Sequence, residues 1–260
     1  MAVLPEVAGG MNGPCTIAAL DCGWLRTQQR TLIGGGSTDL MEIPVPAWLV
    51  RHGDDVVVFD TGLHPSLAGS SEPLGRMSKL FQPMLPADGS VGHRLEQHDV
   101  DPDGSFTVVV SHCHFDHVGG LCEMANARVV VNVDEWAFAK AAGQDGGFDT
   151  ALVDLGHDVL TVAGEHDLFD DGAVVCIPTP GHTCGHQSLR IRTADGPVIL
   201  TSDACYFTHT LDDEILPPFG FDHDLQRRSL AMLRRERDAG TRIVPGHDAY
   251  VFRAIAEHPL

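Results

Sequence analysis

The segment Ser111-His112-Cys113-His114-Phe115-Asp116-His117-Val118-Gly119-Gly120 narrows what this chain can become. Four metal-capable side chains, His112, His114, Asp116 and His117, crowd into one short stretch. They follow the apolar run Phe106-Thr107-Val108-Val109-Val110 and precede two glycines. Imidazole nitrogen and carboxylate oxygen are the donors that hold zinc and related divalent ions. Burying that much polarity without a partner costs several kcal/mol in order of magnitude. A metal centre at the end of a strand is the economical reading.

Composition narrows the partners. The chain has 260 residues, enough for one large domain over 1–260. Its formal net charge is −19, which argues against nucleic acid and against strongly anionic substrates. No apolar run is long enough for a membrane span. The N-terminus Met1-Ala2-Val3-Leu4-Pro5-Glu6 has neither a basic region nor a long apolar one, so no secretory leader is expected. Seven cysteines in a chain of this size suggest reduced thiols and a cytoplasmic setting. Cys113, Cys184 and Cys205 read as small buried hydrophobes rather than ligands.

Short Val- and Ile-rich runs bounded by Gly, Pro or Asp predict strands at 15–20, 47–50, 56–60, 106–111, 128–133, 173–177, 188–192, 198–202 and 242–244. Helices are predicted at 134–142, at 225–239 with Gly240 as its stop, and briefly after Asp116-His117. The alternation implies an α/β sandwich. The stretch 62–92 mixes Gly, Ser and Pro with Met77, Leu80, Phe81, Met84 and Leu85, and is long for a connection. It reads equally as a cover over a site and as a core-packing insertion.

Three further motifs share one layout: a polar group ending an apolar strand. They are Thr179-Pro180-Gly181-His182-Thr183-Cys184-Gly185-His186, Ser202-Asp203-Ala204 and Pro245-Gly246-His247-Asp248. Singly each is weak; a lone Asp there is usually a cap and a lone His a structural residue. In this order, together with the His-x-His-x-Asp-His cluster, they are specific.

With Asp60-Thr61-Gly62, these motifs resemble the metallo-β-lactamase superfamily over nearly the whole chain. The resemblance implies an αββα sandwich with a dinuclear metal site at one edge of the sheets. By motif match, His112, His114 and His182 would hold one ion, Asp116, His117 and His247 the second, and Asp203 would bridge them. Zinc leads the candidates; manganese, iron and cobalt also suit nitrogen and oxygen donors. His186 would pack behind the ligands, while His52, His64, His93 and His98 are expected at the surface.

Within that superfamily, the Ser111–Gly120 run, Gly181–Ser188, Ser202-Asp203-Ala204-Cys205-Tyr206 and Pro218-Phe219-Gly220-Phe221-Asp222 are similar to the N-acyl-homoserine lactone lactonases. The implied reaction is opening of the lactone ring by a hydroxide shared between two ions, as in quorum quenching. Tyr206 would donate to the carbonyl oxygen, and Asp116 would carry the nucleophile's proton to the leaving alkoxide. Trp24, Met41, Phe81, Met84, Leu85 and Phe115 are candidates for an acyl groove. The small-molecule lactone is the expected partner, with a homodimer as one option. Alternatives are a hydrolase of another lactone, ester or thioester, an iron-dependent oxidoreductase of the same fold, and a metal-binding protein without turnover.

Overall fold

A computed structural model describes residues 13–144 and 146–260; the N-terminal segment read above for a leader lies outside them. The strands are β1 Thr16–Gln28, β2 Leu40–His52, β3 Asp55–Phe59, β4 Gln82–Met84, β5 Thr107–Val109, β6 Arg128–Asn132, β7 Asp158–Val162, β8 His166–Asp167, β9 Val174–Pro178, β10 Gln187–Thr193, β11 Gly196–Leu200 and β12 Arg242–Val244. The α-helices are α1 Gln29–Leu32, α2 Val91–Gln97, α3 Phe115–Val118, α4 Val133–Ala142, α5 Thr208–Asp213, α6 His223–Asp238 and α7 Ala249–Glu257.

Two sheets stack. One runs β4-β1-β2-β3-β5-β6-β7, the other β12-β11-β10-β9-β8. Strand alternation explains why they do. Val57 and Phe59 on β3 face the inter-sheet core, with Val109 of β5, Leu189 and Ile191 of β10, and Leu200 of β11. Their neighbours Val58 and Val108 face the other way, onto Val91 and Leu95 of α2 and Ala139 of α4. On the far side, Val175, Ile177 and Ile199 pack against Leu230 and Leu233 of α6. The result is the expected helix–sheet–sheet–helix order.

β3 pairs in parallel with β5, and β12 with β11, while β9 and β11 flank β10 antiparallel. The C-terminal ends of β3 and β5, and those of β9, β11 and β12, therefore gather at one edge of their respective sheets. The loops carrying Asp60, the His112–His117 cluster, His182, Asp203 and His247 leave from those ends. That placement follows from topology before any side chain is considered.

Several boundaries differ from the sequence reading. β1 and β2 are both 13 residues long. Pro44 and Pro46 hid the first half of β2. They are tolerated because β3 pairs only with Trp48–His52, so the proline half of β2 bonds to β1 alone. The stretch 62–92 holds 3₁₀ turns at Pro65–Leu67 and Glu72–Lys79, then β4, which pairs with β1. His52, expected at the surface, is buried. Its ring lies 3.5 Å from Cys15 Sγ through Nδ1 and 3.0 Å from Asp171 Oδ2 through Nε2. It ends β2 on the same face as Trp48 and Val50, so strand parity turns it inward.

Candidate metal centre

All seven side chains predicted as ligands meet at the strand-end edge. They fall into two groups whose donor atoms lie within 4.8 Å of one another: His112, His114, His182 and Asp203, and beside them Asp116, His117 and His247.

In the first group, His112 Nε2, His114 Nδ1 and His182 Nε2 form a triangle with sides of 3.0, 3.1 and 2.9 Å. A ring nitrogen has one in-plane position, holding either a proton or a lone pair. Among three mutual neighbours, at most two contacts can then be hydrogen bonds. A cation among three lone pairs resolves the conflict. Donors at the usual zinc–nitrogen distance in a tetrahedron stand roughly 3.3 Å apart, close to this spacing.

The outer bonds of the rings point to the same conclusion. Ser111 Oγ donates to Asp60 Oδ2 at 2.8 Å, so toward His112 Nδ1, 2.9 Å away, it acts as acceptor. The His112 proton then sits on Nδ1 and its Nε2 lone pair faces inward. His117 Nδ1 donates to Asp60 Oδ2 at 2.9 Å, and His247 Nδ1 donates to the Pro44 carbonyl at 2.8 Å. Both Nε2 atoms face Asp203 Oδ1, at 3.3 and 2.9 Å, so either a proton or an ion must sit between each ring and the carboxylate. His117 Nε2 and Asp203 Oδ1 are buried without a hydrogen-bond partner. Orphaned buried groups cost about 1–3 kcal/mol each. The donor set therefore fits divalent ions.

Asp203 connects the groups. Its Oδ2 lies 3.3 Å from His182 Nε2 and 3.8 Å from His112 Nε2, while Oδ1 faces His117 and His247. Asp116 Oδ2 is 3.7 Å from His117 Nε2. Backbone bonds hold the parts in place: Gly246 N–H donates to the Cys205 carbonyl and His247 N–H to the Tyr206 carbonyl. A Cβ at Gly246 would meet the Ser202 carbonyl oxygen at 2.6 Å, so only glycine allows this approach. Asp60 and Ser202 sit in the left-handed region, with φ of 58° and 45°. Strain of that kind persists where surrounding bonds over-determine it, and here Ser111, Ser202 and His117 converge on the Asp60 carboxylate.

Charge divides the site. Burial drives His112 and His182 well below the ordinary histidine range and His114 to about 3, which keeps these rings neutral. Burial also depresses His117 and His247, but the carboxylates outweigh it, Asp203 first, and raise both. Burial lifts Asp116, with Asp203 adding to it. In Asp203 burial is overcome by His247, His117 and His182, which hold the carboxyl well below its usual range.

Tyr206 is buried, with its hydroxyl 3.1 Å from His182 Nδ1. It borders a cavity of about 230 Å³ together with Asp116, Asp203 and His247. Leu32, Ile43, Met77, Leu80, Phe81 and Phe115 supply apolar wall. Of the six sequence candidates for a groove, Phe81 and Phe115 are in that wall. Trp24 packs edge-on against Phe252, and Met41 and Leu85 pack into the core beside Leu25 and Leu63. Met84 pairs with Trp24 in β4, away from the lining. His186 stacks behind His112, with Nδ1 2.9 Å from Thr179 Oγ1, as expected. Ser111, Ser202 and the Pro44 carbonyl escaped the sequence reading. Ser111 and Ser202 open two of the quoted motifs, and their hydroxyls could have been flagged; a main-chain oxygen leaves no mark in a sequence.

Comparison with known proteins agrees with this geometry. The AttM N-acyl homoserine lactonase of Agrobacterium fabrum is 31% identical over 220 residues, covering 80% of this chain and 82% of that protein. A mutant of Bacillus thuringiensis AiiA, with N-decanoyl-L-homoserine bound at its active site, superposes with a TM-score of 0.85 at 23% identity, over 93% of this chain and 96% of that one. AidC, a dizinc quorum-quenching lactonase in complex with a hexanoyl-homoserine product, superposes with a TM-score of 0.70 at 16% identity, over 92% and 89%. The family model of the metallo-beta-lactamase superfamily matches residues 40–247. With the fold, the strand-end loops and that match in agreement, the chain belongs to the metallo-beta-lactamase superfamily.

Proposed function

We propose that this protein is a metal-dependent lactonase that opens the homoserine lactone ring of N-acyl homoserine lactones, the quorum-quenching reaction. The observation that carries the reading is the Asp203 carboxylate, which reaches both histidine groups at the floor of an apolar cavity. The lactonases it resembles supply the substrate class. We assign His112, His114 and His182 to one ion, Asp116, His117 and His247 to a second, and Asp203 to both. Zinc is the ion of choice, supported by the nitrogen-and-oxygen donor set and the dizinc relative.

Bound divalent ions would supply Lewis-acid polarisation of the ester carbonyl and a water nucleophile near neutral pH. The chain does the rest. With its inner nitrogen committed to an ion, His182 carries its proton on Nδ1 and donates it to Tyr206 Oη. The phenol proton is then free to point into the cavity. Burial, with Asp203 adding to it, holds the Tyr206 hydroxyl well above its ordinary range, so it stays a donor. It meets the carbonyl oxygen and the oxyanion that follows. Asp116, raised by burial at the cavity wall, takes the proton of the nucleophile and returns it to the leaving alkoxide. The apolar wall receives the acyl chain, and the −19 charge suits an uncharged substrate.

Residues 1–260 are read as a single domain. All seven cysteines are free, which supports a reducing, cytoplasmic setting. Among the described residues no helix is long and apolar enough to cross a membrane. The test is acid release from acyl lactones of graded chain length in a pH-stat, before and after chelation. Release that survives complete removal of the metal would end the proposal.

A further inference from the structure

Glu135 lies in the first turn of α4, behind the Asn132 cap, and is fully buried. Its two carboxylate oxygens diverge. Oε1 accepts the Cys113 N–H at 2.9 Å, and Oε2 accepts the Gly185 N–H at 3.1 Å. Cys113 stands between His112 and His114. Gly185 stands in the loop that carries His182. One side chain from a third element thus ties together the backbones of the two loops that build the histidine triangle.

No Lys or Arg pairs with this carboxylate among the described residues; its hydrogen-bond partners are the two amides. Burying a carboxylate without a cation costs several kcal/mol unless hydrogen bonds compensate. Here they are main-chain bonds to the ligand loops. The contact is close: a Cβ at Gly185 would meet Glu135 N at 2.4 Å and Asn132 Oδ1 at 2.6 Å. Anything that pushed Gly185 off Glu135 would carry His182 with it.

We infer that Glu135 is a positioning residue for the first metal group: its oxygens set the separation between the His112–His114 loop and the His182 loop, and so the affinity of that group for a divalent ion. The inference rests on the reading of those three histidines as ligands. Replacing Glu135 by Gln keeps the shape but presents an amide NH2 to one of the two N–H groups, donor against donor.

The experiment measures binding of Zn(II) and Co(II) by metal-free parent and Glu135→Gln protein, in competition with a chelator, with the Co(II) absorption bands as a second readout and melting of both metal-free forms as a control. The expected result is one equivalent bound about 10–100-fold more weakly, with changed Co(II) bands, the scale seen when partners of ligands are lost. Equal affinity within two-fold and unchanged bands would overturn the inference, whatever happens to the melting temperature. A parent that binds no metal would instead overturn the ligand assignment itself. Should Glu135→Gln fail to fold, hydrogen exchange on the parent decides: Cys113 and Gly185 amides should be protected together and slow further on metal loading. Exchange of either at the rate of open-loop amides overturns the inference.

Discussion

Two regions of this molecule bury histidine, and they do it differently. At one edge of the sandwich, His52 has a partner at each ring nitrogen, Cys15 on one side and Asp171 on the other. At the opposite edge, His117 Nε2 and Asp203 Oδ1 are buried without partners, and three ring nitrogens face one another in a triangle. Burial is the same in both. The difference lies in whether the hydrogen-bond account closes. Where it closes, the histidine holds structure together. Where it fails by whole groups, a cation is called for.

The largest test of this contrast is Asp203→Asn. An amide nitrogen in place of one oxygen would set a donor where an ion is wanted, and kcat/KM for acyl lactones should fall by at least about 10²–10³-fold, the scale of losing a group aimed at the reacting centre. Metal content measured on the same sample should drop with it. Retention of full metal and full rate would erase the distinction between the two edges. Next comes Tyr206→Phe, which removes one hydroxyl and leaves the ring stacked on His247. We expect kcat to fall at least about ten-fold with bound metal unchanged; an unaltered kcat removes the phenol from the reaction.

Acid sharpens the comparison in the metal-free protein. His114 titrates near 3 and His186 near 4, both depressed by burial. In the unfolded chain a histidine takes its proton near 6.5. Below that pH these rings, with His112 and His182, bind more protons in the unfolded chain than in the native one. Asp116 and Glu135, raised by burial, work the other way, but the four rings outnumber them and stability falls as pH falls. Melting temperatures of the metal-free protein should therefore decline from pH 6.5 toward pH 4. A flat profile would show that these rings are not buried neutral. The smallest effect is expected from His52→Ala: a loss of roughly 1–3 kcal/mol of stability, read by denaturant unfolding, with kcat/KM within about two-fold of the parent. A large loss of activity there would mean that the two edges communicate.

Much of this was legible in the sequence because the signals were local. Runs such as Thr107-Val108-Val109 announce strands, and metal-type side chains directly after them announce a strand-end site. All seven proposed ligands came from that pattern and the resemblance it supports. What stayed hidden was non-local. β7 is exposed along much of its length, so its apolar content is thin, and β8 is two residues long. The first half of β2 was masked by prolines that only the pairing of β3 makes acceptable. The inward turn of His52 needed the register of β2, which runs past the 47–50 stretch that the sequence marks as strand. The roles of the Pro44 carbonyl and Glu135 depend on which loops touch, which spacing along the chain does not encode.

Both edges also act as fasteners between the sheets. His112, His114, Asp116 and His117 belong to the sheet of β5, whereas His182, Asp203 and His247 follow strands of the other sheet. An ion bound in either group would be a rivet through the two leaves. At the far end, Cys15 and His52 on one leaf meet Asp171 and the Arg192 carbonyl on the other, and that clasp is made of protein alone. Stripping the ions should therefore loosen the sandwich like a book held at its spine, with the reactive margin opening first.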